Sequence, residues 1–265
     1  MICNKQTSMS YKPTTSIITP THNSSRFIIE TLDAILAQTH TNWELLITDD
    51  ASTDDTCEII EAYQEKDDRI KLFKLEENAG AAVARNNSIR HATGRFIAFC
   101  DSDDLWTPDK LEKQIAFMLE KDYAFTFAPY HIISEEGKNI GYTPTRTKVS
   151  YNDILFTCDI GCLTAVYDTQ KLGKTYMPLI RKRQDYGLWL KILKQVDHAY
   201  SYPEALGYYR YRPHSISSNK LKAIWYIWKV YRDVEKLPFF RSLYLVFIYS
   251  TYGIRKYGRL KASRR

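Results

Sequence analysis

The chain has 265 residues, of which 44% are hydrophobic and 26% charged, and carries a formal net charge of +6. That composition fits one large soluble domain, or one domain with an appendage, and excludes disorder, collagen or coiled coil as the overall description. No run of about 18 apolar residues is present, so a bilayer-spanning helix is disfavoured. The polar residues 1–12 lack the apolar centre of a secretory signal and are expected to be a disordered N-terminus. Five scattered cysteines (Cys3, Cys57, Cys100, Cys158, Cys162) form no CxxC pair. They argue against a disulfide framework or cysteine zinc site and suit a reducing cytoplasm.

The first half alternates strand-like and helix-like segments. Ser16 to Thr19 reads as a strand ended by Pro20, and Ser24 or Ser25 can cap the helix that follows, with Phe27, Ile28, Leu32, Ile35 and Leu36 at helical spacing. Trp43 to Ile47 is a second strand. Thr53 to Tyr63 is a helix opened by Asp54 and Asp55, whose charges suit its N-terminal dipole. A strand over Ile70 to Leu75 precedes an Ala-rich helix over Ala81 to His91. Phe96 to Cys100, apolar throughout, reads as a central strand, and Pro108 opens a helix. Four such units predict a doubly wound, mostly parallel sheet covered by helices. Beyond them, Phe125 to Ile133, Gly141 to Val149 and Leu163 to Tyr167 read as strands or extended connections. Tyr186 to Val196 reads as an amphipathic helix and Leu206 to Tyr211 as a late strand.

Ligands of open α/β sheets bind beyond the carboxyl ends of the strands. Pro20-Thr-His22-Asn23 follows strand one, Asp49-Asp50 follows strand two, Asn78 follows strand three and Asp101-Ser102-Asp103-Asp104 follows strand four. Acids thus gather on one sheet edge, where like charges need a compensating cation. A hard divalent ion, Mn2+ or Mg2+, suits clustered carboxylates, with Asp103 the leading direct ligand. Neither GxGxxG nor GxxxxGK[ST] occurs, so nucleotide phosphates would be neutralised by metal and side chains. Each residue also has a plainer reading: Asp101 and Ser102 as a turn, Arg85 as a surface ion pair, His22 as a loop residue, Asn78 as a turn end.

Five motifs occur in order: Ser16-Ile-Ile-Thr-Pro-Thr-His-Asn23, Gln38 to Glu44, Ile47 to Asp54, Ala84-Arg-Asn86 and Phe99 to Trp106. Arg183 to Lys191 and Tyr209 to Ser217 continue the series. Together they resemble the inverting family 2 glycosyltransferases of GT-A fold, most closely bacterial enzymes of teichuronic-acid, capsule and lipopolysaccharide assembly. The resemblance covers roughly residues 14–235. It implies a Rossmann-like central sheet flanked by helices, with C-terminal helices, and a GT-A domain over 13–215. It implies that Pro20, His22 and Asn23 border the base and that Asp50 accepts from a uracil ring. It places Arg85 near the nucleotide. Asp101-Ser102-Asp103 becomes the DxD motif, contacting the ribose and holding metal on the diphosphate. Asp185 becomes the catalytic base, and His214 a further metal or diphosphate contact. Many relatives have Tyr in place of His22 and Glu-Asp in place of Gln184-Asp185. The implied activity is metal-dependent transfer from a nucleotide sugar, most simply a UDP-sugar, to a glycan or glycolipid acceptor.

The segment 216–265 holds twelve Lys and Arg against Asp233 and Glu235, a net +10; with the chain total at +6, residues 1–215 carry −4. That asymmetry is unlike a nucleic-acid binder. The aromatic run from Leu237 to Tyr252, followed by six cations, fits an interfacial helix on anionic lipid, with a core-packed helix as the alternative. Such a chain would sit peripherally on the inner face of the cytoplasmic membrane. Two competing readings remain at this level. A sugar nucleotidyltransferase calls for a glycine-rich basic loop near the N-terminus, which is missing. A binding protein without transfer activity calls for a lost acid, whereas Asp50, Asp101, Asp103 and Asp185 are all present.

Overall fold

The computed structural model describes residues 14–212 and 220–262, with side chains described for 14–212 and 224–251. The expected disordered residues 1–12 and His214 lie outside the described residues. The first half follows the predicted alternation: β1 (Thr15–Thr21), α1 (Ile28–Leu36), β2 (Trp43–Asp49), α2 (Thr56–Gln64), β3 (Ile70–Lys74), α3 (Ala81–His91) and β4 (Phe96–Phe99). Next come β5 (Leu105–Trp106), α4 (Lys110–Glu120), β6 (Phe125–Phe127), β7 (Tyr130–Ile133), β8 (Asn139–Thr143), β9 (Lys148–Val149) and α5 (Tyr151–Phe156). A 3-10 turn over Cys162–Thr164 leads into β10 (Val166–Asp168), α6 (Thr169–Leu172), α7 (Gln184–Leu193), β11 (Ala199–Ser201) and β12 (Gly207–Arg210). The C-terminal segment forms α8 (Lys220–Lys229), a π-helical turn over Val230–Val234 and α9 (Phe239–Ala262).

The main sheet runs β3-β2-β1-β4-β10-β6-β11-β9, and a smaller one runs β5-β12-β7-β8. The first four strands are parallel, as βα crossovers require, and β10 enters antiparallel between β4 and β6. β4 is therefore central, as its unbroken apolar run predicts. Strand alternation sorts the core onto two faces. Ile18, Leu46, Ile97 and Phe99 belong to one cluster, and Ile17, Leu45, Ile47 and Ala98 to the other. The first cluster continues through Trp189 on α7 into Ile227, Val230, Tyr231 and Leu245, so the C-terminal helices share the main core.

Several boundaries depart from the sequence reading, for identifiable reasons. Pro20 does not end β1, which continues to Thr21 along β2. β4 stops opposite Ile18, so the missing Pro20 N–H falls where no second neighbour needs it. Neither Ser24 nor Ser25 caps α1 through its side chain; the Ser24 carbonyl accepts from the N–H groups of Phe27 and Ile28 instead. The stretch 125–133 is two strands in different sheets, divided at Ala128-Pro129. α7 begins at Gln184, with Arg183 ahead of it at φ 63°.

Candidate active site

The carboxyl ends of β1, β2 and β4 open onto one edge, and their loops are held by side chain to backbone bonds. Asn23 Oδ1 accepts from Thr53 N–H at 2.8 Å, and Asp54 accepts from Ser25 N–H at 3.1 Å and from Thr56. Asp54 thus steadies the start of α2, and its own pKa falls to about 2: burial pushes it up, but bonds from Thr56 and Ser25 outweigh that. Asp49 closes a turn onto Ser52 N–H at 2.8 Å. Asp50 accepts from Ala79 N–H at 2.7 Å and Gly80 N–H at 2.9 Å, at the N-terminus of α3. Those bonds fix the Asp50 carboxylate and leave it lone pairs for a further donor. His22 is exposed beside Asn23, whereas Pro20 is buried. Asn23 (φ 47°) and Ala51 (φ 58°) both take left-handed backbone, turning the chain sharply just after each strand.

Beyond β4, each acid has a different partner. Asp101 pairs with Arg85 at 2.5 Å, and Ser102 shares a 2.9 Å hydroxyl contact with Ser24. Asp103 pairs with Arg212 at 2.8 Å. Burial raises the pKa of Asp103; Arg212 opposes the rise and Asp101 adds to it. Asp104 is buried and accepts from Arg210 N–H at 3.0 Å; burial, then the charges of Asp103 and Asp101, lift it well above the carboxylate range.

Arg85, on α3, is the hinge of the arrangement. Burial alone would lower its pKa, but the carboxylates of Asp101 and Asp185 prevail and hold it above its ordinary value. Asp185 thus lies within electrostatic reach of the Asp101 end of the motif although 84 residues separate them in sequence. Asp185 sits in the first turn of α7 and does not cap the helix, whose N-cap, Arg183, makes no side-chain cap bond. Asp185 also helps raise the pKa of the Cys158 thiol, where burial is the larger cause. The next residue on α3, Asn86, exchanges two bonds with Met177: its amide donates to the Met177 carbonyl at 2.9 Å and accepts from the Met177 N–H at 2.8 Å. Pro178 then packs so tightly on α7 that a Cβ added at Gly187 would lie 2.5 Å from its Cγ.

A doubly wound sheet with acid-bearing loops on one edge and an acid on α7 within electrostatic reach of Arg85 invites comparison with known proteins. Residues 16–169 match the family described as Glycosyl transferase family 2. The chain belongs to this family. TuaG of Bacillus subtilis, assigned as a teichuronic acid biosynthesis glycosyltransferase, is 42% identical over 247 residues, 93% of this chain and 98% of TuaG. The Escherichia coli UDP-Glc:alpha-D-GlcNAc-diphosphoundecaprenol beta-1,3-glucosyltransferase WfgD is 41% identical over 92% of this chain and 94% of its own length. S. aureus TarS 1-349 in complex with UDP-GlcNAc superposes with TM-score 0.69 at 24% identity, over 89% of this chain and 71% of that one. The Pyrobaculum calidifontis mannosyltransferase PcManGT, in complex with GDP-Man and Mn2+, gives 0.68 at 18% identity, over 96% and 75%. The fold is GT-A.

In this family 2 glycosyltransferase the donor set for a divalent ion can be tested against the residues present. Among the described residues no three His, Cys, Asp or Glu side chains cluster as ligands. A metal caged by protein alone does not fit. One or two carboxylates at the sheet edge do fit an ion that takes its remaining ligands from phosphate and water. Asp103 is the better placed, since its partner Arg212 is exposed and displaceable whereas Asp101 is bound to buried Arg85. Three buried polar atoms around the site, Thr21 Oγ1, Arg85 Nε and Gln184 Oε1, have no hydrogen-bond partner among the described residues.

The sequence reading assigned no role to Arg210 or Arg212, although both stand in the quoted Tyr209 to Ser217 motif. Arg210 is buried; its guanidinium donates to the carbonyls of Asp103 (3.0 Å) and Glu135 (2.8 Å) and to the Glu30 carboxylate (2.7 Å). It thereby fixes the backbone of the DxD loop. Two arginines two residues apart, one ending a late strand and one just past it, were the available signal.

Proposed function

We propose that this family 2 glycosyltransferase moves a sugar, with inversion, from a UDP-sugar to a growing lipid-linked cell-surface glycan. The observation that carries the reading is Arg85, which pairs with Asp101 of the DxD loop and lies within electrostatic reach of Asp185 on α7. It ties a donor-side motif and an acceptor-side acid to one buried cation. The names of WfgD and TarS complexes supply the donor class, and those of WfgD and TuaG the acceptor class.

The mechanism follows from which residue faces which charge. Pro20, His22, Asn23 and Asp50 border the base, with Asp50 held by α3 ready to accept from a ring N–H. Asp101, Ser102 and Asp103 face the ribose and diphosphate. A Mn2+ or Mg2+ held by Asp103, with Asp101 and His214 as further ligands, would offset negative charge growing on the leaving diphosphate. Arg85 holds Asp101 in place and adds positive charge beneath the same region. Asp185 takes the proton from the attacking acceptor hydroxyl as its oxygen bonds to the anomeric carbon. Attack from the Asp185 side, opposite the departing diphosphate, inverts that carbon. Peripheral placement on the inner face of the cytoplasmic membrane would bring a lipid-linked acceptor within reach, and the free cysteines suit that reducing compartment.

A screen of nucleotide sugars for Mn2+- or Mg2+-dependent hydrolysis and thermal stabilisation tests the reading. A UDP-sugar should be selected, and transfer to a diphospholipid-linked acceptor should give the inverted anomer by NMR. Binding without hydrolysis or transfer would favour a sugar-nucleotide-binding protein instead.

A further inference from the structure

α9 has two unlike faces. Ser242 and Leu245 are buried, and Leu245 enters the main core. Phe240, Leu243, Tyr244 and Phe247, spaced to share the other face, are 81%, 52%, 57% and 66% exposed. The patch extends onto α8. Phe239 meets Trp228 edge-on at 5.4 Å, and Trp225, one turn earlier, is 55% exposed. Six large apolar or aromatic side chains thus lie uncovered on two adjoining helices, more than isolated exposure explains. Among the described residues no helix is long and apolar enough to cross a membrane.

We infer that this face docks on an anionic lipid surface, with α9 lying in the headgroup plane. Charge decides between lipid and a second copy of the chain. The segment 216–265 carries +10, and of its two acids Glu235 is turned inward, bonded to Lys194 at 2.6 Å and to Tyr151. Two copies meeting at this face would bring like charges together. An anionic bilayer takes the aromatic rings and neutralises the cations at once. Tyr and Trp at the patch suit the interface, where one end of the ring is apolar and the other wet. The opposite face of α9 belongs to the core, so the helix positions the whole catalytic body rather than tethering it loosely. This inference rests on the lipid-linked acceptor of the proposed function.

Full-length protein is tested by co-sedimentation with vesicles of phosphatidylcholine alone and of phosphatidylcholine with 30% phosphatidylglycerol. Binding should require the anionic lipid and weaken as salt rises. Phe240→Ser with Phe247→Ser, both at exposed positions, should lower the partition coefficient at least tenfold with the melting temperature and donor hydrolysis in solution unchanged. Brominated lipid should quench Trp225, with Trp225→Phe as the reference. Equal partitioning of wild type and the double variant, or a wild-type dimer that the double variant converts to monomer, would overturn the inference. Vesicle binding without donor hydrolysis would instead overturn the transferase reading and leave the docking face standing.

Discussion

The Arg212 guanidinium lies 2.8 Å from the Asp103 carboxylate, the acid best placed to hold a divalent ion. A metal and Arg212 therefore compete for the same oxygens. Arg212 is 40% exposed, so the pair is worth no more than a partly screened surface bridge. Arg212→Gln should tighten Mn2+ binding in the absence of nucleotide by roughly threefold to fivefold, the equivalent of about 1 kcal/mol or less. Asp103→Ala should greatly weaken metal-assisted UDP binding. Calorimetry with Mn2+ alone and with UDP reads both, and an unchanged metal affinity in Arg212→Gln would show the two do not share a site.

Asp185→Asn keeps the shape of the first turn of α7 and removes the proton acceptor. Turnover should fall by a factor on the order of 10²–10⁴, the usual range for a general base. UDP affinity should persist, because the proposed mechanism assigns Asp185 to the acceptor hydroxyl. A near wild-type transfer rate would remove Asp185 from the role.

Lys110 predicts a pH dependence of stability rather than of catalysis. Its ammonium is buried at the start of α4 with no hydrogen-bond partner among the described residues, 3.9 Å from the centre of the Trp106 ring. Burial pulls its pKa down to about 7, with the nearby Cys100 acting weakly the other way. The folded pKa lies below the unfolded one, so between about pH 7 and 10.5 the unfolded chain binds the extra proton. Stability from this residue is then fully present above 10.5 and is lost as pH falls toward 7. Lys110→Met should stabilise the protein more at pH 7.5 than at pH 9.5. Urea unfolding of both proteins at the two values checks the difference; equal gains would mean that the fold does not depress the Lys110 pKa.

Gly187→Ala tests whether α7 can shift. The new Cβ meets a proline ring, which has little freedom to yield, and overpacking of this kind costs about 1–3 kcal/mol. The expected result is a lower melting temperature together with a lower kcat and little change in donor affinity. Wild-type kcat would show that the position of Asp185 tolerates movement of its helix.

The sequence carried the first half well because long periodic segments were available there. The bounds of α3 were read as they stand, and Asp101 after β4 does meet Arg85 on that helix. The second half is built of strands of two to five residues, too short for alternation to register, and β10 takes its place between β4 and β6 through tertiary pairing alone. Pro20 misled because its effect depends on which neighbour β1 lacks at that point. Arg210 stayed hidden because a basic residue on a strand reads as solvated until its partners, Glu30 and the Asp103 carbonyl, come from distant parts of the chain.

The paired bonds between Asn86 and Met177 bear on how such enzymes can be recombined. Arg85 and Asn86 belong to the early half of the chain, to which the proposed mechanism assigns the nucleotide, while Met177 leads through Pro178 to the helix that carries Asp185. A chimera that takes its later half from a relative with a different acceptor would carry the Met177 to Gly187 strut away from the α3 it was fitted to. A crossover that brings α3 along with the donated half keeps the amide clasp native, but it moves the joint to the loop ahead of α3, where Ala79 and Gly80 hold Asp50, so that contact must be matched instead.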